Sequence, residues 1–129
     1  MKTMMRRLLP WLTLAVGVVT TVSAALHTNA VIGVAYRERG GYDARLADLL
    51  WIGWTSLVCG ALMVVSSRAL ARGSRTAYWT AIGAAAVFLV GSLFLAVVAP
   101  GFWTSVPLYG GYILLALWAR PEPVNHTHA

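Results

Sequence analysis

Three long segments without a charged side chain constrain this sequence more than any other feature. They cover residues 8–36, 49–67 and 76–119 of a 129-residue chain. A run of roughly 18 or more mainly apolar residues is long enough for a helix to cross a bilayer. The composition agrees, since 11% of the residues are charged, against about 25% in a soluble domain. We therefore expect an integral membrane protein and no catalytic domain outside the membrane.

The last uncharged segment is too long for one spanning helix. Its 44 residues would extend, at about 1.5 Å each, more than twice the roughly 30 Å of a hydrocarbon core. Pro100-Gly101 predicts a break, because proline lacks a backbone N–H and disfavours helix at the preceding residue. Pro107 predicts that the last span is short or kinked. The sequence thus predicts an all-α fold, a single polytopic transmembrane four-helix bundle, with spans at 8–35, 46–67, 76–99 and 102–119 and a flexible tail at 120–129.

Basic residues predict the orientation of these four helices. With four spans, the termini and the middle loop share one side, which carries Lys2, Arg6, Arg7, Arg68, Arg72, Arg75 and Arg120. The first loop, on the other side, mixes three arginines with three acids. Because cytoplasmic loops are enriched in Lys and Arg, both termini are expected in the cytoplasm, with the protein in the plasma (inner) membrane. Tryptophans near the predicted helix ends support these limits, because indole prefers the membrane interface.

The first predicted helix has an alternative interpretation. Basic residues, an apolar run and the small residues at 22–25 resemble a secretory signal peptide, which would be cleaved after Ala24 and leave three spans. Against cleavage, the uncharged run continues through Ile32 and Val34 instead of ending after the small residues. We expect an uncleaved helix, and the later helices keep their orientation in both interpretations.

Few side chains in these segments could carry chemistry. The candidate polar site consists of His27 and Asn29, towards the outer end of the first helix, and Asp48, just before the second uncharged segment. The imidazole could titrate or bind a polar headgroup, although each residue also suits an interfacial helix end. His126 and His128 in the tail are too few ligands for a structural metal site. We expect no catalytic residues and no metal or other cofactor, because no phosphate loop or paired carboxylates are found.

Small residues recur at four-residue spacing in the predicted helices. They let helix backbones approach closely, and close packing drives helix association in lipid. The packing candidates are Thr13, Gly17, Thr21 and Ala25 in the first helix, Gly53, Ser56 and Gly60 in the second, and Ala81 and Ala85 in the third. A second row in the first helix, Thr20, Ala24 and Thr28, would allow contacts on two sides. These rows predict packing within the chain or contact with another protein.

Together these features predict a non-enzymatic accessory or structural subunit that docks through its small residues. The expected partners are the lipid bilayer and another membrane protein or a second copy, with no nucleic acid. The alternative is a small transporter or carrier of an apolar or lipid-like molecule, with a pocket lined by Trp51, Trp54, Cys59 and Met63. A membrane enzyme that uses His27 with Asp48 or with arginines of the first loop is a third interpretation.

The number of predicted spans is similar to that of two groups of small membrane proteins, the small multidrug resistance transporters and the DoxX-like proteins. The transporters depend on a glutamate within the first helix. Residues 8–36 contain no acid, which argues against proton-coupled drug export. No motif accompanies the similarity to the DoxX-like group, so it assigns no role to any residue.

Overall fold

The computed structural model of the protein describes residues 1–37, 44–98 and 100–120. Within these ranges every regular element is helical, which confirms the predicted all-α fold. The elements are α1 (Lys2–Arg37), α2 (Ala44–Ala71), α3 (Arg75–Val98), a 3₁₀ helix (Pro100–Thr104) and α4 (Ser105–Trp118). Residues 38–43 of the first loop and the predicted tail from residue 121 onward, with its two histidines, lie outside the described residues.

Three of these helices contain segments long and apolar enough to cross a membrane: Thr3–Val34, Ala47–Ala71 and Arg75–Val97. These three apolar helices are compatible with an integral membrane protein. α1 begins at Lys2, earlier than the predicted span at residue 8. The difference has a simple cause, because lysine, arginine and methionine are good helix formers and extend a helix beyond its apolar part.

α4 is shorter than the predicted fourth span. Its 14 residues extend about 21 Å, less than a hydrocarbon core of roughly 30 Å. Pro107 is its third residue, a position where the missing N–H breaks no bond because the first four N–H groups of a helix have no partner within it. With the preceding 3₁₀ helix, at about 2.0 Å per residue, the segment reaches about 31 Å. That this segment crosses the membrane stays a prediction.

A tight turn at Gly73 makes α2 and α3 antiparallel neighbours. Gly73 has a φ of +81°, a conformation that glycine adopts without steric cost. Its N–H donates to the carbonyl of Leu70 at 2.9 Å, and the N–H of Ser74 donates to that of Ala69 at 3.0 Å. This pair of bonds is the Schellman ending of a helix. The hydroxyl of Ser74 then accepts from the N–H of Ala77 at 3.2 Å and caps α3.

Hydroxyl groups join α4 to α1. Thr13 Oγ1 donates its single proton to the carbonyl of Leu9 at 2.8 Å, so Tyr112 must be the donor in the 2.9 Å bond between the Tyr112 and Thr13 hydroxyls. The arrangement recurs at Thr20, which donates to the carbonyl four residues earlier at 2.7 Å and therefore accepts from the hydroxyl of Tyr109. All four hydroxyl-bearing residues are buried.

Further contacts join α4 to α3. The hydroxyl of Tyr78 donates to the carbonyl of Ala116 at 3.0 Å. Near the start of α4, the rings of Tyr109 and Phe88 lie 4.3 Å apart between centroids. Two α-helices therefore fix α4 along its length, and its tyrosines lie in the interior of the protein rather than at a membrane interface.

Candidate functional site

The closest approach between α1 and α2 is built from glycine. A Cβ atom added to Gly17 would lie 2.9 Å from the Cβ of Met63 and 3.0 Å from the carbonyl oxygen of Gly60. One added to Gly60 would lie 2.8 Å from the backbone nitrogen of Thr21. Further along, Gly53 packs so closely against Thr28 that a Cβ there would overlap its hydroxyl. At Gly17 and Gly60, where the added Cβ would meet backbone atoms of the other helix, a larger side chain cannot be accommodated without a shift of the helices.

The nine packing candidates differ from one another in how deeply they are buried. Six are buried within the chain: Thr13, Gly17, Gly53, Gly60, Ala81 and Ala85. Thr21 and Ser56 are half-buried, and Ala25 is exposed. The exposure of Ala25 follows from helix geometry, because each four-residue step advances about 400° and the row rotates about 40° away from the neighbouring helix. The buried face of α1 instead recurs every seven residues, as at Gly17, Ala24 and Val31.

Beyond the glycine contacts, a cavity of about 550 Å³ lies among the helices. We call it the His27 cavity. Residues of α1, α2, α3, the 3₁₀ helix and α4 all contribute to its wall. Its polar lining consists of Thr20, Ser23, His27, Ser56, Thr104, Ser105 and Tyr109. Its remaining lining is apolar or glycine: Val19, Ala24, Ile52, Gly53, Phe88, Phe102 and Leu108. None of these described lining residues is Asp, Glu, Lys or Arg.

The imidazole of His27 is oriented by a backbone carbonyl. Its Nε2 atom lies 3.3 Å from the carbonyl oxygen of Leu49 on α2. A carbonyl oxygen can only accept, so this contact requires a proton on Nε2, and Nδ1 is the other polar atom of the ring. His27 is half-buried and lines the cavity, whereas Asn29 and Asp48 are exposed and do not. The predicted polar site is thus represented in the cavity by His27 alone.

The hydroxyl groups of the cavity are mainly acceptors. Ser56 donates its proton to the carbonyl of Ile52 at 2.8 Å, and Thr104 donates to that of Gly101 at 2.9 Å. Tyr109 donates to Thr20, as described above. Each of these oxygens keeps lone pairs that can accept a hydrogen bond. The wall therefore combines aromatic and aliphatic surface with acceptors suited to a ligand that carries hydroxyl or N–H groups.

The pocket predicted from Trp51, Trp54, Cys59 and Met63 is not formed as one site. Trp51 lines an apolar groove of about 340 Å³ between α2 and α3. Trp51 also lines an open groove of about 470 Å³ together with Trp54, whereas Cys59 and Met63 are buried in the core. All six tryptophans are exposed on the outside of the chain. This position suits an indole at a membrane interface better than one in a ligand pocket.

The contribution of α3 and α4 to the cavity was not predicted from the sequence. Tyr109, Ser105 and Phe88 were not identified as site residues, although they form much of the wall. One signal was available, because two tyrosines three residues apart lie inside the last uncharged segment rather than at its ends. Buried tyrosines require hydrogen-bond partners. The threonines of α1, seven residues apart, are those partners.

Within the described ranges, no group of three His, Cys, Asp or Glu side chains is placed to hold a metal ion. Comparisons with known protein families, curated proteins and solved structures found no significant match. The geometry of this chain therefore has to support any function proposed for it.

Proposed function

We propose that this protein is a small integral membrane protein that binds an uncharged amphipathic molecule in the His27 cavity. The observation that carries the proposal is the cavity itself, which lies among residues of all four α-helices and the 3₁₀ helix and combines apolar walls with hydroxyl and imidazole groups. A volume of about 550 Å³ lies within the roughly 300–1,000 Å³ of small-molecule sites. The proposed role is binding or carriage rather than catalysis, since one imidazole and several hydroxyls converge there without a carboxylate.

The lining supports an uncharged ligand. A charged ligand would leave water for a wall whose described residues carry no fixed opposite charge, which is costly. A neutral ligand with hydroxyl groups would instead pair with the acceptors of Ser56, Tyr109 and the imidazole. Its apolar part would lie against Phe88 and Ile52.

The exposed lining residues indicate a lateral entrance. Val19 on α1 is 54% exposed and Leu108 on α4 is 43% exposed, although both line the cavity. They lie on two different helices, so the cavity opens between α1 and α4. An amphipathic molecule could enter there directly from the bilayer.

The proposed orientation keeps both termini in the cytoplasm of a plasma membrane. It is supported by the excess of basic residues at the termini and in the turn after α2, and it requires the 3₁₀ helix and α4 to cross together. A reporter active only in the cytoplasm, fused in turn to each terminus, should be active in both fusions. Activity at one terminus alone would show an odd number of crossings and overturn the orientation.

The cavity can be tested with a neutral probe of defined chemistry. Monoolein has a hydroxylated uncharged head and one acyl chain, and oleate has the same chain with a carboxylate. We expect monoolein to raise the melting temperature of the purified protein in detergent and oleate to do so much less. A ligand at 100 times its Kd stabilises a protein by about 2.7 kcal/mol, which is a readily measured shift.

Two variants test whether monoolein binds in the His27 cavity. Ser56→Leu puts a larger apolar side chain into the cavity and should abolish the monoolein shift, whereas Thr55→Leu, on the exposed side of the same helical turn, should retain it. If Ser56→Leu does not fold, Val19→Trp obstructs the proposed entrance from an exposed position. Equal monoolein shifts in the wild type, the filled and the obstructed proteins would show that the cavity is not the binding site.

We propose a second function, that of an accessory subunit of a larger membrane assembly. The proposed docking surface lies on α3 and differs from the one predicted from the sequence. The glycines of the α1–α2 contact already pack against a helix of the same chain. On α3, however, Gly83 and Gly91 are exposed, and an added Cβ would meet nothing within 4 Å at either. Small exposed residues on a membrane helix allow the close approach of another helix. Gly83→Leu with Gly91→Leu should remove a co-purifying subunit or second copy seen by native mass spectrometry, while exposed Val65→Leu should not; retention in the glycine variant would contradict this role.

A further inference from the structure

A second concave site lies between the start of α1 and the end of α2, at the opposite end of α1 from His27. It encloses about 730 Å³, and we call it the arginine groove. Three arginines line it: Arg6 and Arg7 from α1 and Arg68 from α2. Arg7 and Arg68 are exposed and Arg6 is half-buried. No acidic side chain is among the described residues of its wall, so the groove favours an anion.

The position of the groove relative to the uncharged segments defines its depth. Arg7 immediately precedes the first uncharged run, and Arg68 immediately follows the second. If α1 and α2 cross the membrane with their uncharged runs in the hydrocarbon, Arg7 and Arg68 lie at the boundary between hydrocarbon and headgroups. Trp11 and Leu14, which lie within the first uncharged run, form the apolar part of the same wall. A basic end is thus continuous with an apolar surface at membrane depth.

From this juxtaposition we propose that the arginine groove is a binding site for an anionic phospholipid. The phosphodiester accepts hydrogen bonds from Arg7 and Arg68, whose guanidinium groups match phosphate oxygens in geometry. One acyl chain lies along Trp11, which is 71% exposed, and Leu14. Ser67, also on the wall, donates its proton to the carbonyl of Val64 at 2.7 Å, so its oxygen can only accept, for example from a hydroxyl of the headgroup.

The apolar wall selects a lipid over a soluble phosphate. A free phosphate ion would use only the arginines and would leave the indole and leucine surface to other molecules. A lipid with an anionic headgroup uses both parts at once. A zwitterionic lipid with the same chains carries a choline cation that the arginines would repel, so headgroup charge is the property that the groove should read.

Lipid titration followed by native mass spectrometry of the purified full chain tests the site. The probes are dioleoyl phosphatidylglycerol, dioleoyl phosphatidylcholine and inorganic phosphate. We expect the first phosphatidylglycerol molecule to bind at least tenfold more tightly than phosphatidylcholine. In the double variant Arg7→Gln and Arg68→Gln, its affinity should fall about 25-fold, because each arginine near an anionic lipid contributes roughly fivefold.

The matched control is the double variant Arg72→Gln and Arg75→Gln. It removes the same charge at the same end of the helices, from exposed positions that do not line the groove, and should lose less than fivefold. Equal affinity of the wild type for the two lipids would overturn the proposal without any variant. Equal losses of phosphatidylglycerol affinity in the two double variants would show that net charge alone explains the binding. Displacement of phosphatidylglycerol by millimolar inorganic phosphate would show that the groove binds a soluble anion. Either outcome also overturns the proposal.

Discussion

Gly17 and Gly60 face each other across the α1–α2 contact, each with its carbonyl oxygen where the other's side chain would begin. The reciprocal distances are 3.0 Å from an added Cβ of Gly17 to the Gly60 oxygen and 3.1 Å in the opposite direction. Backbone and backbone are thus in van der Waals contact. In lipid, where water provides no hydrophobic force between helices, such packing is a main source of helix association.

Gly60→Ala should therefore destabilise the protein by about 1–3 kcal/mol, because the new methyl group would overlap the backbone of Thr21 and force the helices apart. Reversible unfolding in mixed detergent and sodium dodecyl sulfate measures this free energy. Gly83→Ala is the matched control, since it adds the same methyl group within a helix but meets nothing within 4 Å. It should be neutral or stabilising by up to about 1 kcal/mol. Equal effects of the two substitutions would show that α1 and α2 do not meet at this glycine.

The Thr13–Tyr112 bond should contribute a measurable coupling energy. In a double-mutant cycle with Thr13→Val and Tyr112→Phe, we expect a coupling energy between about 0.6 kcal/mol, the average for hydrogen bonds between membrane helices, and about 1.7 kcal/mol, the maximum. Each substitution keeps the size of the side chain and removes one hydroxyl. Tyr112→Phe paired with Thr55→Val, whose hydroxyl is exposed and bonds within its own helix, should show coupling near zero. A coupling energy of zero for Thr13 and Tyr112 as well would show that their hydroxyls do not bond α4 to α1.

Tyr109 and Tyr112 should differ in ligand binding although their hydrogen bonds are alike. Both hydroxyls donate to a threonine of α1, so Tyr109→Phe and Tyr112→Phe should lose similar stability. Only Tyr109 lines the His27 cavity. Tyr109→Phe should therefore weaken monoolein binding about two- to tenfold, the effect of one lost hydrogen bond, while Tyr112→Phe leaves it unchanged. Calorimetric titration in detergent distinguishes the two, and equal weakening would point to an indirect effect of helix packing.

The loss of stability caused by a substitution at Gly73 should depend on the backbone conformation alone. Its φ is positive and no atom lies within 4 Å of an added Cβ, so the cost of Gly73→Ala is the left-handed conformation itself, about 1–2 kcal/mol. Gly73→Asn should cost less, because asparagine adopts this conformation more readily. Thermal unfolding of the three proteins should give the order glycine, asparagine, alanine. An alanine variant as stable as the wild type would contradict the Schellman ending of α2.

The helical architecture was readable from local signals. Long uncharged runs predict α1, α2 and α3 because a backbone in lipid must satisfy its hydrogen bonds within its own segment. The break at Pro100 follows from the chemistry of one residue. Helix bounds were less accurate, since α1 begins at Lys2 and α4 at Ser105, where charged helix formers and a 3₁₀ turn shift the ends without changing the apolar pattern.

By contrast, the partner of each helix face was decided by tertiary structure. The sequence identified Gly17 and Gly60 as residues suited to close packing, but Ala25, another small residue of the same row as Gly17, is exposed, because the angle between two packed helices determines how long a row stays in contact. The His27 cavity likewise needs residues from five elements, and Tyr109 reaches it from a position 82 residues after His27 in the chain. Hydrophobic length is a property of a segment and can be read from one; a cavity is a property of the space between segments and exists only once they have packed.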